Sequence, residues 1–272
     1  MKIGIFDSGV GGLAILNKIV NRLPQYDYVY LGDNARVPYG NRSEHIVAQY
    51  VEEAVSFLFK EQSQLIILAC NTATAVGLRP IQQVYLKNIY SDRRVLGVVR
   101  PAVETAVELG AKRIGIIGTT LTISSECFPK EIGKINPHIE VYQQACPLLV
   151  PMIEEGAIDR EEIFHVLKRY LQPLIGKNIE AIILGCTHYE LIELYIKEIV
   201  GQKVKVISEG EVVATKLDEY LKRHNEIENL LSKNSTREYY FTDLDDHYKK
   251  LAQYFLGSSY NVDSLFQEVY LP

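Results

Sequence analysis

The chain has 272 residues, 47% of them hydrophobic and 23% charged, with a formal net charge of -5. That is a globular composition, sufficient for one large domain or two modest ones. The acidic balance gives no reason to expect nucleic acid or an anionic membrane as partner, no apolar stretch approaches the roughly 18 residues of a membrane span, and the first residues run straight into a strand pattern with no apolar leader.

In chain order, short apolar runs at 3–6, 28–31, 65–69, 95–99, 114–117, 182–184 and 204–207 read as strands. Between them, the stretch 43–60 repeats Val47, Tyr50, Val51, Ala54, Val55 and Leu58 at helical spacing, and 101–109 (opened by Pro101) and 160–174 also read as helices. After a polar, helix-like stretch at 221–234 come a strand candidate at 238–241 and a last helix at 245–256, closed by Gly257. This β/α alternation predicts an α/β fold: two similar domains with mostly parallel sheets facing each other across a cleft. The expected division is 1–99 plus 207–257 for a discontinuous first domain, 100–206 for the second, and 258–272 for a tail.

Four cysteines, Cys70, Cys127, Cys146 and Cys186, are widely spaced and form no Cys-x-x-Cys pair. Neither a metal site nor a disulfide framework is signalled, and a cytoplasmic, reduced protein is expected. Two of them sit at matching places in look-alike segments, Leu65-Ile66-Ile67-Leu68-Ala69-Cys70-Asn71-Thr72 and Ala181-Ile182-Ile183-Leu184-Gly185-Cys186-Thr187-His188. Each reads as a buried parallel strand that delivers a thiol to its carboxyl end, where open α/β sheets bind ligands. Read singly, either is a candidate for inert core packing. Together they suggest a symmetric task, moving a proton on or off either face of one carbon, for which a thiol titrating near neutrality is suited. Cys127 and Cys146 read as packing residues.

Other motifs fall at the same strand ends. Asp7-Ser8-Gly9-Val10-Gly11-Gly12 follows the first strand. Its glycines allow a tight turn, and Gly9-x-Gly11-x-x-Ala14 fits a loose dinucleotide pattern with Asp33 as the ribose acid. The charge of Asp7 beside a pyrophosphate argues against that, in favour of a small polar substrate or a purely structural turn. The loop from Asp33 to Gly40 reaches the same edge. Thr119 and Thr120 offer hydroxyls at a helix start for a carboxylate. Glu154 and Glu155 are both candidates for a carboxylate facing the cleft, and the residues alone do not choose between them.

Phe6-Asp7-Ser8-Gly9-Val10-Gly11-Gly12-Leu13, Pro38-Tyr39-Gly40, Ala69-Cys70-Asn71-Thr72-Ala73 and Gly185-Cys186-Thr187-His188-Tyr189, in this order and supported by Phe241-Thr242-Asp243 near the end, resemble glutamate racemases along essentially the whole chain. The resemblance implies a cofactor-independent enzyme of the aspartate/glutamate racemase superfamily, without metal. It would interconvert L- and D-glutamate, supply D-glutamate for peptidoglycan, and be built from two α/β domains with the site between them. By resemblance, Cys70 acts on the α-hydrogen of the D-enantiomer with help from Asp7. Cys186 acts on that of the L-enantiomer, with help from Glu154 and His188. Asp7, Ser8, Pro38, Tyr39, Gly40, Asn71, Thr72, Thr119, Thr120, Thr187 and His188 fall where the family binds substrate. A homodimer is expected.

Three positions depart from the family pattern: Glu190 in place of Pro, Asn34 in place of Thr, and Ser208-Glu209-Gly210 in place of Asp-Ser-Gly or Asp-Ser-Ala. Glu190 is expected to serve a helix start, because its charge in the cleft would oppose an anionic substrate. The alternatives are a racemase of aspartate, a one-sided enzyme acting through an α-carbanion, and a non-enzymatic binder of acidic amino acids.

Overall fold

In a computed structural model of the protein, residues 1–257 and 262–272 are described. Ten strands build two sheets, and every neighbouring pair among the described residues is parallel. They are β1 (Lys2–Asp7), β2 (Tyr28–Gly32), β3 (Ser63–Leu68), β4 (Arg94–Gly97), β5 (Arg113–Gly118), β6 (Glu140–Ala145), β7 (Ala181–Gly185), β8 (Lys205–Ile207), β9 (Arg237–Phe241) and β10 (Phe266–Glu268). The first sheet has the order β10-β9-β2-β1-β3-β4 and the second β6-β5-β7-β8. We propose domain limits near residues 99 and 207, with the first domain discontinuous because β9 returns to pair with β2.

Each central strand is buried along most of its length because helices cover both faces. On one face of the first sheet, Leu13, Ile15, Leu16 and Ile19 of the helix Gly12–Arg22 pack with Val213, Leu217 and Leu221 of the helix Glu209–Arg223. On the other, Val47, Val51, Val55 and Leu58 of the helix Glu44–Lys60 meet Phe6, Leu31, Ile66 and Leu68. The second sheet is covered by the helices Arg160–Ile175 and Glu193–Val200 on one side and Val99–Glu108 and Cys127–Ile135 on the other. Each fully buried aliphatic side chain contributes about 1.5–3 kcal/mol.

The structure corrects several expectations. The run 95–99 is split: β4 stops at Gly97, and Val99 opens a helix with Pro101 in its first turn, where a missing N–H costs no helical hydrogen bond. The stretch 221–234 is broken, the long helix ending at Arg223 and only Asn225–Glu228 continuing as helix. The carboxyl end expected as a tail contributes the helix Val262–Leu265 and the edge strand β10, paired to β9; residues 258–261 of that stretch lie outside the described residues. No described helix is long and apolar enough to cross a membrane.

Candidate active site

The carboxyl ends of both sheets point at one cavity of about 20 Å³. Ser8, Pro38, Tyr39, Gly40, Cys70, Asn71 and Thr72 line it from the first domain, and Thr119, Val150, Cys186, Thr187 and His188 from the second. Both thiols line this cavity, Cys70 being 6% and Cys186 8% exposed. All four cysteines are free.

Cys70 follows β3 and caps the helix Asn71–Pro80: its sulfur accepts from the Ala73 amide at 3.4 Å and lies 3.4 Å from the Ser8 hydroxyl. Burial, reinforced by the charge of Asp7, pushes this thiol up to about 12, against the pull of Ser8 and the Ala73 amide. Asp7, the last residue of β1, is fully buried. Its carboxylate accepts from the Gly9 amide at 3.1 Å and from the Thr187 hydroxyl at 3.4 Å, so it crosses from one domain to the other. Burial raises this carboxyl above the usual range, although His188 and the Gly12 and Gly9 amides pull the other way.

On the opposite wall the Cys186 sulfur lies 3.9 Å from His188 Nδ1, and His188 Nε2 lies 3.1 Å from Glu154 Oε1. Burial pulls the imidazolium down, but its contacts with Cys186 and Glu154 prevail and hold it well above its ordinary value. Glu154 is thus the carboxylate that reaches the site, through His188.

The walls meet closely. A Cβ on Gly11 would lie 2.5 Å from Thr187 Oγ1 and 2.9 Å from His188 Nδ1, and one on Gly40 would lie 2.4 Å from Thr119 Cβ. Neither site has room for a side chain without moving the facing domain. The hydroxyls of Thr72, Thr119 and Thr122 form a triangle with 3.0 Å sides that ties the first domain to the second.

The dinucleotide reading has no support. The Asp7 carboxylate itself occupies the amide turn at Gly9. Asp33 is consumed internally, accepting from Arg36 Nε at 2.7 Å, from Thr242 Oγ1 at 2.8 Å and from the Tyr39 hydroxyl, and so it holds the loop that carries Tyr39. Thr120 is exposed and lies outside the cavity lining, because it has passed the strand end and begins the next helix. Glu190 stays out of the cavity and accepts from the Gly210 amide at 2.7 Å, serving the start of the helix Glu209–Arg223 rather than of its own segment. Cys127 and Cys146 lie outside this cavity, the latter buried. Sequence reasoning missed Val37 and Val150, apolar members of the lining with no chemical signal of their own, and Thr122, whose hydroxyl lies just past the recognised Thr119-Thr120 pair. Among the described residues no group of three or more His, Cys, Asp or Glu could hold a metal ion.

Two α/β domains that present a thiol each to one cleft define the class: the family described as Asp/Glu/Hydantoin racemase matches residues 3–217. A glutamate racemase of Geobacter metallireducens is 40% identical over 94% of this chain and 92% of its own length. The structure of a glutamate racemase isoform from Bacillus anthracis superposes with a TM-score of 0.88 at 34% identity, covering 100% of this chain and 98% of that one. That of a Francisella tularensis glutamate racemase in complex with D-glutamate gives 0.87 at 33% identity, over 99% and 97%. The chain belongs to the glutamate racemase family and is an amino-acid racemase.

Proposed function

We propose that this racemase interconverts L- and D-glutamate by a two-cysteine proton transfer that needs no cofactor, in the cytoplasm, and that the D-glutamate serves peptidoglycan synthesis. The observation that carries the reading is the pair of thiols from facing domains lining one small cavity. The D-glutamate complex of the Francisella relative supports the choice of substrate.

In the D-to-L direction, Cys70 as thiolate takes the α-proton: the C–H bond breaks, an S–H bond forms, and the electron pair stays on the α-carbon. Cys186 as thiol then gives its proton to the opposite face. The states of the two sulfurs are exchanged after one turnover and run in reverse from L-glutamate. A thiol held up to about 12 is rarely ionised in the empty site. The ammonium group of the arriving amino acid supplies the positive charge that favours the thiolate. Asp7 assists as proton acceptor beside Cys70. His188, held by Glu154, exchanges a proton with Cys186 across the 3.9 Å contact. Ser8, Asn71, Thr72, Thr119 and Thr187, with Tyr39 and Gly40, bind the carboxylates. Hydroxyls and amides there stabilise charge that grows into the α-carboxylate as the carbanion forms.

Chiral chromatography of a panel of amino acids incubated with the chelated protein tests this. Racemisation of glutamate with kcat/KM above that of aspartate and glutamine is expected. A preference for aspartate would overturn the substrate assignment, and loss of activity on chelation, restored by a metal, would overturn the mechanism.

A further inference from the structure

Glu209 is the first residue of the helix Glu209–Arg223, 2% exposed, and has no part in the mechanism above. Its Oε2 accepts from Asn71 Nδ2 at 2.7 Å. Its other oxygen, Oε1, is buried without a partner, and so is the remaining atom of the same amide, Asn71 Oδ1. Two acceptors, one from each group, therefore lack a donor, although the groups are already joined by one hydrogen bond. A single proton on the carboxyl supplies the missing donor. An acid and a primary amide then satisfy each other through two hydrogen bonds, and the amide keeps one N–H that the acid does not use.

The surroundings favour the proton. Among the described residues no cation is paired with Glu209, and the charged groups that act on it are the carboxylates of Asp7 and Glu190. Glu190 is itself turned to the Gly210 amide, with the Lys18–Glu211 pair beyond it, and the Cys127 thiol is near enough to feel a charge on Glu209 were it ionised. Burial, with these like charges, holds the Glu209 carboxyl well above its usual range despite the Asn71 contact. An unpaired buried carboxylate is far costlier than a hydrogen-bonded acid.

We propose that Glu209 is a neutral carboxylic acid that positions the Asn71 amide through paired hydrogen bonds, leaving the free N–H of Asn71 for a carboxylate of the substrate. Asn71 follows Cys70 directly and lines the cavity, so a loose amide would misplace the substrate relative to the sulfur. Ionisation of Glu209 would break the pair and set a negative charge behind the substrate-binding wall. KM for glutamate therefore rises at alkaline pH. The kinetic part rests on the glutamate reading; the state of the carboxyl does not.

Infrared difference spectra of the ligand-free protein in H2O and D2O at neutral pH should contain the carbonyl stretch of a protonated carboxylic acid that Glu209→Gln removes. Glu209→Gln offers the same donor and acceptor, so it should keep kcat/KM for L-glutamate within about twofold of wild type and abolish the alkaline rise in KM. Glu209→Leu should raise KM about tenfold with little change in kcat. Retention of the band in Glu209→Gln, or a Glu209→Gln enzyme as impaired as Glu209→Leu, would overturn the proposal. The infrared measurement needs no substrate. A band lost in Glu209→Gln from a protein inactive on glutamate would fault the substrate reading and uphold the neutral acid. No such loss in a protein active on glutamate would do the reverse.

Discussion

The two thiols sit in unlike environments although their segments look alike. Cys70 is surrounded by Ser8, the Ala73 amide and the Asp7 carboxylate, and Cys186 by a histidine tied to a glutamate. Serine is a far weaker acid than a thiol, so Cys70→Ser and Cys186→Ser should each lower racemisation by roughly 10²–10⁴-fold or more. Elimination from an amino acid with a leaving group on the β-carbon needs only one proton abstraction. There Cys70→Ser should fail with the D-form and Cys186→Ser with the L-form; equal losses with both enantiomers would refute the facial assignment. A second consequence concerns stability. The Cys70 thiol rises from an ordinary 9.0 to about 12 on folding, so the folded state favours the protonated form. The resulting stability is present in full below pH 9 and is lost as pH climbs toward 12. At about pH 10 the unfolded chain gains about 1 kcal/mol from ionising this thiol, and Cys70→Ser removes that penalty. Denaturant titrations should therefore show a shallower alkaline decline for Cys70→Ser than for wild type, and identical slopes would contradict the assigned burial.

Among the elements, the glycine turn after β1 carries one of the two tightest approaches between the domains. Gly11→Ala would drive a methyl group to within 2.5 Å of Thr187 Oγ1. Relief requires the second domain to move away, and small displacements cost up to about 10²-fold in rate. Activity should fall at least tenfold with Tm nearly unchanged, since the residue packs against the cleft and not the core. A large fall in Tm with kcat/KM intact would contradict this. The same scale explains what the sequence made legible. β1, β3 and β7 read as unbroken apolar runs because helices bury both their faces, and the functional groups lie just past their ends. β6, Glu-Val-Tyr-Gln-Gln-Ala, went unread because it is an edge strand whose side chains are mostly half-buried, and two glutamines interrupt its pattern. β10, Phe266-Gln267-Glu268, was missed because it has one apolar residue followed by two polar ones and so shows no apolar run. Glu190 serving a helix elsewhere in the chain, and Glu209 meeting Asn71, are tertiary facts that no local pattern encodes.

For the molecule as a whole, a cavity of about 20 Å³ holds about one water molecule, far less than an amino acid. An amino acid therefore needs the cavity to widen before it can enter, and a parting of the two domains would break the hydroxyl triangle of Thr72, Thr119 and Thr122. Alkylation of Cys70 and Cys186 by iodoacetamide, followed by peptide mass mapping, should be slow in the free enzyme and suppressed by saturating D-glutamate; rapid modification unaffected by glutamate would contradict a closed, ligand-filled cleft. The most direct test of the two-thiol account is racemisation in D2O, stopped early and resolved by enantiomer and α-deuterium content. Starting from L-glutamate, the D-glutamate formed should carry a solvent deuteron at the α-carbon while the remaining L-glutamate stays protiated, because one sulfur abstracts and the other delivers. Product that retains the substrate's own α-proton, or substrate that exchanges faster than it inverts, would contradict it.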